Sequence, residues 1–98
     1  MNKTWKRKWV KALRSGTYQQ GRAGFLRYLD DYCCLGVLCD IVDPGNSCEW
    51  KRKKLPPREI CETVGLPLWG DDTHLLVEAN DEAEWTFNEI ADYIEIML

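Results

Sequence analysis

Five cysteines and one histidine are the residues of this chain best suited to chemistry. The thiols lie at Cys33, Cys34, Cys39, Cys48 and Cys61, a spacing of C-C-x4-C-x8-C-x12-C. Tetrahedral metal sites draw on C-x-x-C pairs with matching Cys or His partners. No C-x-x-C occurs here and His74 stands alone, so no metal is expected. A thiol nucleophile needs a base, usually an imidazole, to take its proton. Cys34 opens an apolar run that reads as a helix start, where the helix dipole lowers a thiol pKa. His74 would be its only base. The favoured reading is reduced thiols that pack as small apolar groups, with no catalytic residue and no cofactor assigned. One of Cys33 and Cys34 is expected to point inward and the other to be exposed.

Two further groups suit ligand binding. Gly21-Arg22-Ala23-Gly24 offers backbone N–H groups, and Tyr18, Gln20 and Arg22 could line a small anion site beside it, with an aromatic ring to stack a base. The stretch lacks the G-x-x-x-x-G-K-[ST] pattern of a phosphate loop, and a hairpin bend with positive φ explains its glycines as well. Asn80-Asp81 could contact a ligand from a loop, or could form a turn by bonding its own backbone. Tyr18, Gln20, Arg22, Asn80 and Asp81 are the ligand-binding candidates.

Charge is divided along the chain. Thirteen Lys and Arg and five carboxylates precede residue 59, a balance of +8, and eleven carboxylates with no Lys or Arg follow, a balance of −11, for the net −3. The basic part could track phosphates, but the acidic part repels the same polymer, so direct nucleic-acid binding ranks below a protein partner. Glu84, Glu89, Asp92 and Glu95 form a carboxylate face suited to a basic groove. They are the partner-binding candidates, unless they simply face the chain's own lysines.

These groups must be positioned by a few short elements. Trp5, Trp9, Ala12 and Leu13 make the apolar stripe of a first helix, with Asn2 or Thr4 to cap it and Gly16 to end it. A short strand near Tyr18 to Gln20 and a hairpin from about Phe25 to Cys33 follow. Cys34 to Val42 reads as a short buried helix stopped by Asp43-Pro44-Gly45. Ser47 to Lys51 suits an edge strand, and Lys51-Arg52-Lys53-Lys54 a surface loop. Pro56-Pro57 leads into a helix with Ile60, Cys61 and Val64 inside and Gly65 at its end. Leu68 to Asp72 reads as loop, and Thr73 to Ala79 as a short strand or one helical turn. Thr86 and Glu89 have capping-box spacing before a last helix whose stripe is Phe87, Ile90, Ala91, Ile94 and Leu98. The 98 residues make one α+β domain, residues 1–98, of about four short helices with a short antiparallel hairpin or sheet.

Several strings occur in a telling order: Ala12-Leu13-Arg14-Ser15-Gly16, Tyr18-Gln19-Gln20-Gly21, Tyr32-Cys33-Cys34-Leu35-Gly36-Val37-Leu38-Cys39-Asp40, Leu55-Pro56-Pro57, Asn80-Asp81 and Phe87-Asn88-Glu89-Ile90-Ala91-Asp92. Over nearly the whole chain this resembles a group of small uncharacterised proteins encoded by bacteriophages and prophages. The resemblance implies expression in the host cytoplasm, in keeping with free thiols. No apolar stretch follows Met1, so no signal peptide is expected, and no segment reaches the roughly 20 apolar residues that span a bilayer. The expected function is a phage-encoded binding protein that inhibits a bacterial host target such as a defence component. The alternatives are a sponge for a small nucleotide immune signal and a nucleic-acid-binding accessory protein; homo-oligomers fit the split charge.

Overall fold

The computed structural model describes residues 1–67 and 70–98. Element α1 (Lys3–Arg14) starts where Asn2 Oδ1 accepts the Trp5 N–H at 3.0 Å, which satisfies one of the amides a helix start leaves open. It ends at Ser15, before Gly16 turns left-handed. Then come β1 (Gln19–Gln20), β2 (Arg27–Tyr28) and β3 (Asp31–Tyr32). The sheet order is β1-β3-β2. The hairpin β2–β3 is antiparallel as expected, but β1 lies parallel to β3, with Gln19 opposite Asp31 and Gln20 opposite Tyr32. A parallel pair is reached because the chain from Gly21 to Leu26 crosses over before returning as β2.

The helix α2 (Cys34–Val42) fills the centre. Its first six residues are buried, including both Cys34 and Leu35. Gly36 is required there, because a Cβ would overlap the backbone carbonyl of Leu26. The thiol of Cys33 caps the helix by accepting the Gly36 N–H at 3.3 Å. Both Cys33 and Cys34 are buried, so the expectation that one would be exposed does not hold. Cys33 turns inward to cap and Cys34 turns inward as the first helical residue.

Ser47 to Lys51 is not a strand. Asp43 carboxylate oxygens accept the N–H groups of Ser47 and Cys48 at 3.0 and 2.8 Å, and Asn46 Oδ1 accepts that of Lys51. These side chains take the amides a strand would need. Asn46 and Glu49 adopt positive φ, and buried Trp50 donates to the Asp43 carbonyl at 2.9 Å.

Helix α3 (Arg58–Val64) follows Pro57 and ends at left-handed Gly65. Helix α4 (Asp71–Asp81) replaces the expected loop and short strand or turn. Of the expected loop, Leu68 and Trp69 lie outside the described residues, while Asp71 and Asp72 form the acidic first turn of α4, favourably placed at its positive end. Thr73, Leu76, Ala79 and Asn80 are its buried face. Helix α5 (Phe87–Met97) has the full capping box, with Glu89 N–H donating to Thr86 Oγ1 and Thr86 N–H to Glu89 Oε1. Its stripe Phe87, Ile90, Ala91 and Ile94 is buried as expected, and Leu98 is half-buried.

Among the described residues there are thus five helices and a small three-stranded sheet, an α+β domain. One core joins them: α1 packs on α5 and α2, and α4 packs on α2 and α5. Trp9 ties α1 to α2 by donating its indole N–H to the Cys34 carbonyl at 2.9 Å. Among the described residues no helix is long and apolar enough to cross a membrane.

Candidate functional site

The expected ligand residues meet, but mostly to hold the chain together. Asn80 is fully buried on the last turn of α4. Its Oδ1 accepts from Gln20 Nε2 at 2.8 Å and from the Cys34 N–H at 3.2 Å. Its Nδ2 donates to the Gly21 carbonyl and to Asp81 Oδ1, both at 2.8 Å. Gln20 Nε2 and Arg22 also donate to the Trp85 carbonyl, at 2.8 and 3.2 Å. One buried amide therefore joins β1, α2 and α4, and every polar atom of that amide is used. Gly21 sits tight against this joint, since a Cβ would lie 2.6 Å from that of Asp31. Tyr18 is directed elsewhere: its hydroxyl donates to Asp40 at 2.6 Å and its ring meets Tyr32 edge-on. Burial, then the bond to Asp40, holds the Tyr18 hydroxyl protonated far above the usual range.

The thiols are not poised for attack. Burial pushes Cys33 up to about 12, against the Gly36 N–H that lowers it. Burial also drives Cys34 well above its ordinary value, and Cys39 upward. Cys34 Sγ lies 3.6 Å from the Leu76 carbonyl within the core, whereas His74 is on the exposed side of α4. A thiol kept protonated in this way is a packing group rather than a nucleophile. Among the described residues no three His, Cys, Asp or Glu are grouped to hold a metal ion.

The carboxylate face is partly paired within the chain and partly exposed. Arg14 on α1 reaches Asp92 at 2.7 Å and Glu95 at 3.2 Å, and Lys6 Nζ donates to the Glu95 carbonyl. The Asp92 bond, the largest cause, raises the Arg14 pKa. Both acids keep more than half of their side-chain surface exposed, at 65% and 55%. Glu89 belongs to the capping box, and exposed Glu84 sits at positive φ in the α4–α5 turn. Beside them an open cleft of about 320 Å³ is lined by Trp85, Glu89, Asp92, Tyr93 and Ile96. Tyr93 is fixed at its base by donating to Asp72 at 2.7 Å. Ile96 and Met97 are 80% and 59% exposed at the end of α5.

A second surface was not singled out by the residue pattern. The tip of the β2–β3 hairpin exposes Phe25, Tyr28 and Leu29 around a depression of about 310 Å³ that Arg27 and Arg52 complete. The Phe25 and Tyr28 rings are near-parallel at 19°, with centroids 6.3 Å apart. The Lys51–Lys54 loop lies alongside, because the Lys51 and Lys53 carbonyls accept the N–H groups of Arg27 and Leu26. The available signal was the clustering of three apolar residues at a turn, which the hairpin reading absorbed.

Residues 1–72 match the model of a family described as Domain of unknown function (DUF8296). No curated protein and no solved structure matches. The matched segment runs from α1 into the first turn of α4 and includes the hairpin surface.

Proposed function

The chain belongs to that family of unknown function, and from this premise we propose that it is a small binding protein that inhibits a bacterial host protein. The phage or prophage context implied by the order of its motifs makes a defence component the target class, met in the host cytoplasm. The observation that carries the reading is the end of α5, where Ile96 and Met97 stand exposed beside Asp92 and Glu95. Contiguous exposed apolar surface rimmed by polar groups marks protein contacts. A carboxylate rim steers the module to a basic groove, and the apolar pair supplies the desolvated contact. The buried, protonated thiols support a binding role over a thiol enzyme.

The test is affinity capture from host lysate with the parent chain and with a Glu95→Lys, Ile96→Ala, Met97→Ala variant, each target then confirmed by titration with purified components. Loss of the target with unchanged circular dichroism is the expected result. Equal capture by the variant would remove the α5 end from the reading.

A further inference from the structure

We propose that the hairpin surface is a second binding site, one that takes single-stranded nucleic acid by stacking an unpaired base at Tyr28 and Phe25 and holding its phosphate at Arg52. The two rings are exposed and near-parallel, so each offers a π-face to a base. Arg27 is already committed: its Nε donates to the Leu29 carbonyl at 2.7 Å, its guanidinium pairs with Asp30 at 3.5 Å, and it lies over the Tyr32 ring. It fixes the tip rather than the ligand. Arg52 is exposed and, among the described residues, makes no ion pair. It also lines an adjoining depression of about 430 Å³ with Asn46, Glu49, Lys51 and Lys53. Two depressions sharing one arginine make a track longer than a single nucleotide, which is why a strand rather than a free nucleotide is the occupant. Of the carboxylates nearby, Asp30 pairs with Arg27, Glu49 lines its depression together with three cations, and Asp31 lies opposite Tyr28 across the hairpin.

Leu29, at φ 55, is the first residue of the two-residue turn that joins β2 to β3, and its side chain, 78% exposed, adds apolar surface beside the rings. Of the acidic half, Asp92 and Glu95 are paired with Arg14 on α1.

Fluorescence anisotropy with labelled oligo-dT and oligo-U of about ten nucleotides reads the site directly. The parent chain is expected to bind, Tyr28→Ala to bind about tenfold or more weakly, and Arg52→Gln to lower the slope of log K against log salt by about 0.7. Circular dichroism checks the fold of both exposed-site variants. Mononucleotides should bind far more weakly than the strand, and duplex DNA or polyglutamate should not compete. No binding of either oligomer, binding unchanged in Tyr28→Ala, equal affinity for a mononucleotide, or competition by duplex or polyglutamate would each overturn the proposal. The Glu95→Lys, Ile96→Ala, Met97→Ala variant should bind the strand as the parent does, so failure here and failure of the α5 reading are separate results.

Discussion

Asn80 shows how much one buried amide can organise. Replacing it by alanine leaves the buried Cys34 N–H and the part-buried Gly21 carbonyl without their partner, and a buried orphan costs about 1–3 kcal/mol. Asn80→Ala should therefore lower stability by roughly 3 kcal/mol, read as a fall in urea midpoint at constant m. An unchanged midpoint would mean that water replaces the amide. Leu29 should behave in the opposite sense. Leu29→Gly relieves the left-handed penalty without losing buried area, so the melting temperature should rise, by a stability gain of about 1 kcal/mol. The sequence marked Asn80-Asp81 as polar and placed ahead of a helix. It did not show that Asn80 would end α4 facing inward, because its partners Gln20 and Cys34 lie 60 and 46 residues away.

Among the elements, those with local stop and start signals were legible and those without were not. The capping box of α5 is spelled by Thr86 and Glu89, and Thr86→Ala should cost about 1 kcal/mol in a denaturation curve. By contrast α4 has no side-chain cap at Gly70 and only a broken apolar stripe, so its helix is held by packing on α2 and α5. The segment after α2 failed as a strand for a related reason: Asp43 and Asn46 bind its amides locally, a competition that alternation of residue types does not reveal. Gly36 is the tightest joint between elements. Gly36→Ala must push α2 away from the Leu26 carbonyl, and should lower stability by about 3 kcal/mol, read as a fall in urea midpoint, or prevent folding.

At the scale of the whole molecule, the buried thiols give stability a pH dependence. Cys33, Cys34 and Cys39 all hold their protons more tightly in the folded chain than at their ordinary 9.0, Cys33 to about 12. Below pH 9 both states carry these protons and the contribution is complete. Between 9 and about 12 the unfolded chain loses protons that the folded chain keeps, so stability falls as pH rises. A urea midpoint that drops between about pH 8 and about pH 10.5 is expected, and a flat profile would contradict this burial of the thiols. The charge division is in part an internal match, since Arg14 and Lys6 of the basic first helix meet the acidic last one. Exposed pairs of this kind add little stability and are screened by salt. They draw Asp92 and Glu95 of α5 to Arg14, while exposed Arg52 beside the hairpin makes no ion pair among the described residues.

The sequence by itself determined the α+β class, the stripe of α5 and the Trp9 and Leu13 part of that of α1, the cap at Thr86, and the breaks at Gly16, Asp43-Pro44-Gly45 and Gly65, because each depends on residues within a turn or two of one another; for α1 it left Asn2 and Thr4 as alternative caps. It also determined the split of charge. Only the tertiary structure decided that β1 would pair parallel with β3, that Asn80 would join three elements, that both Cys33 and Cys34 would be buried, and that Arg14 would claim Asp92 and Glu95. It alone set Phe25 and Tyr28 against the Lys51–Lys54 loop. These outcomes rest on groups far apart in the chain meeting in one core, and such meetings are fixed by packing and by the need to satisfy every buried polar atom, which no local pattern records.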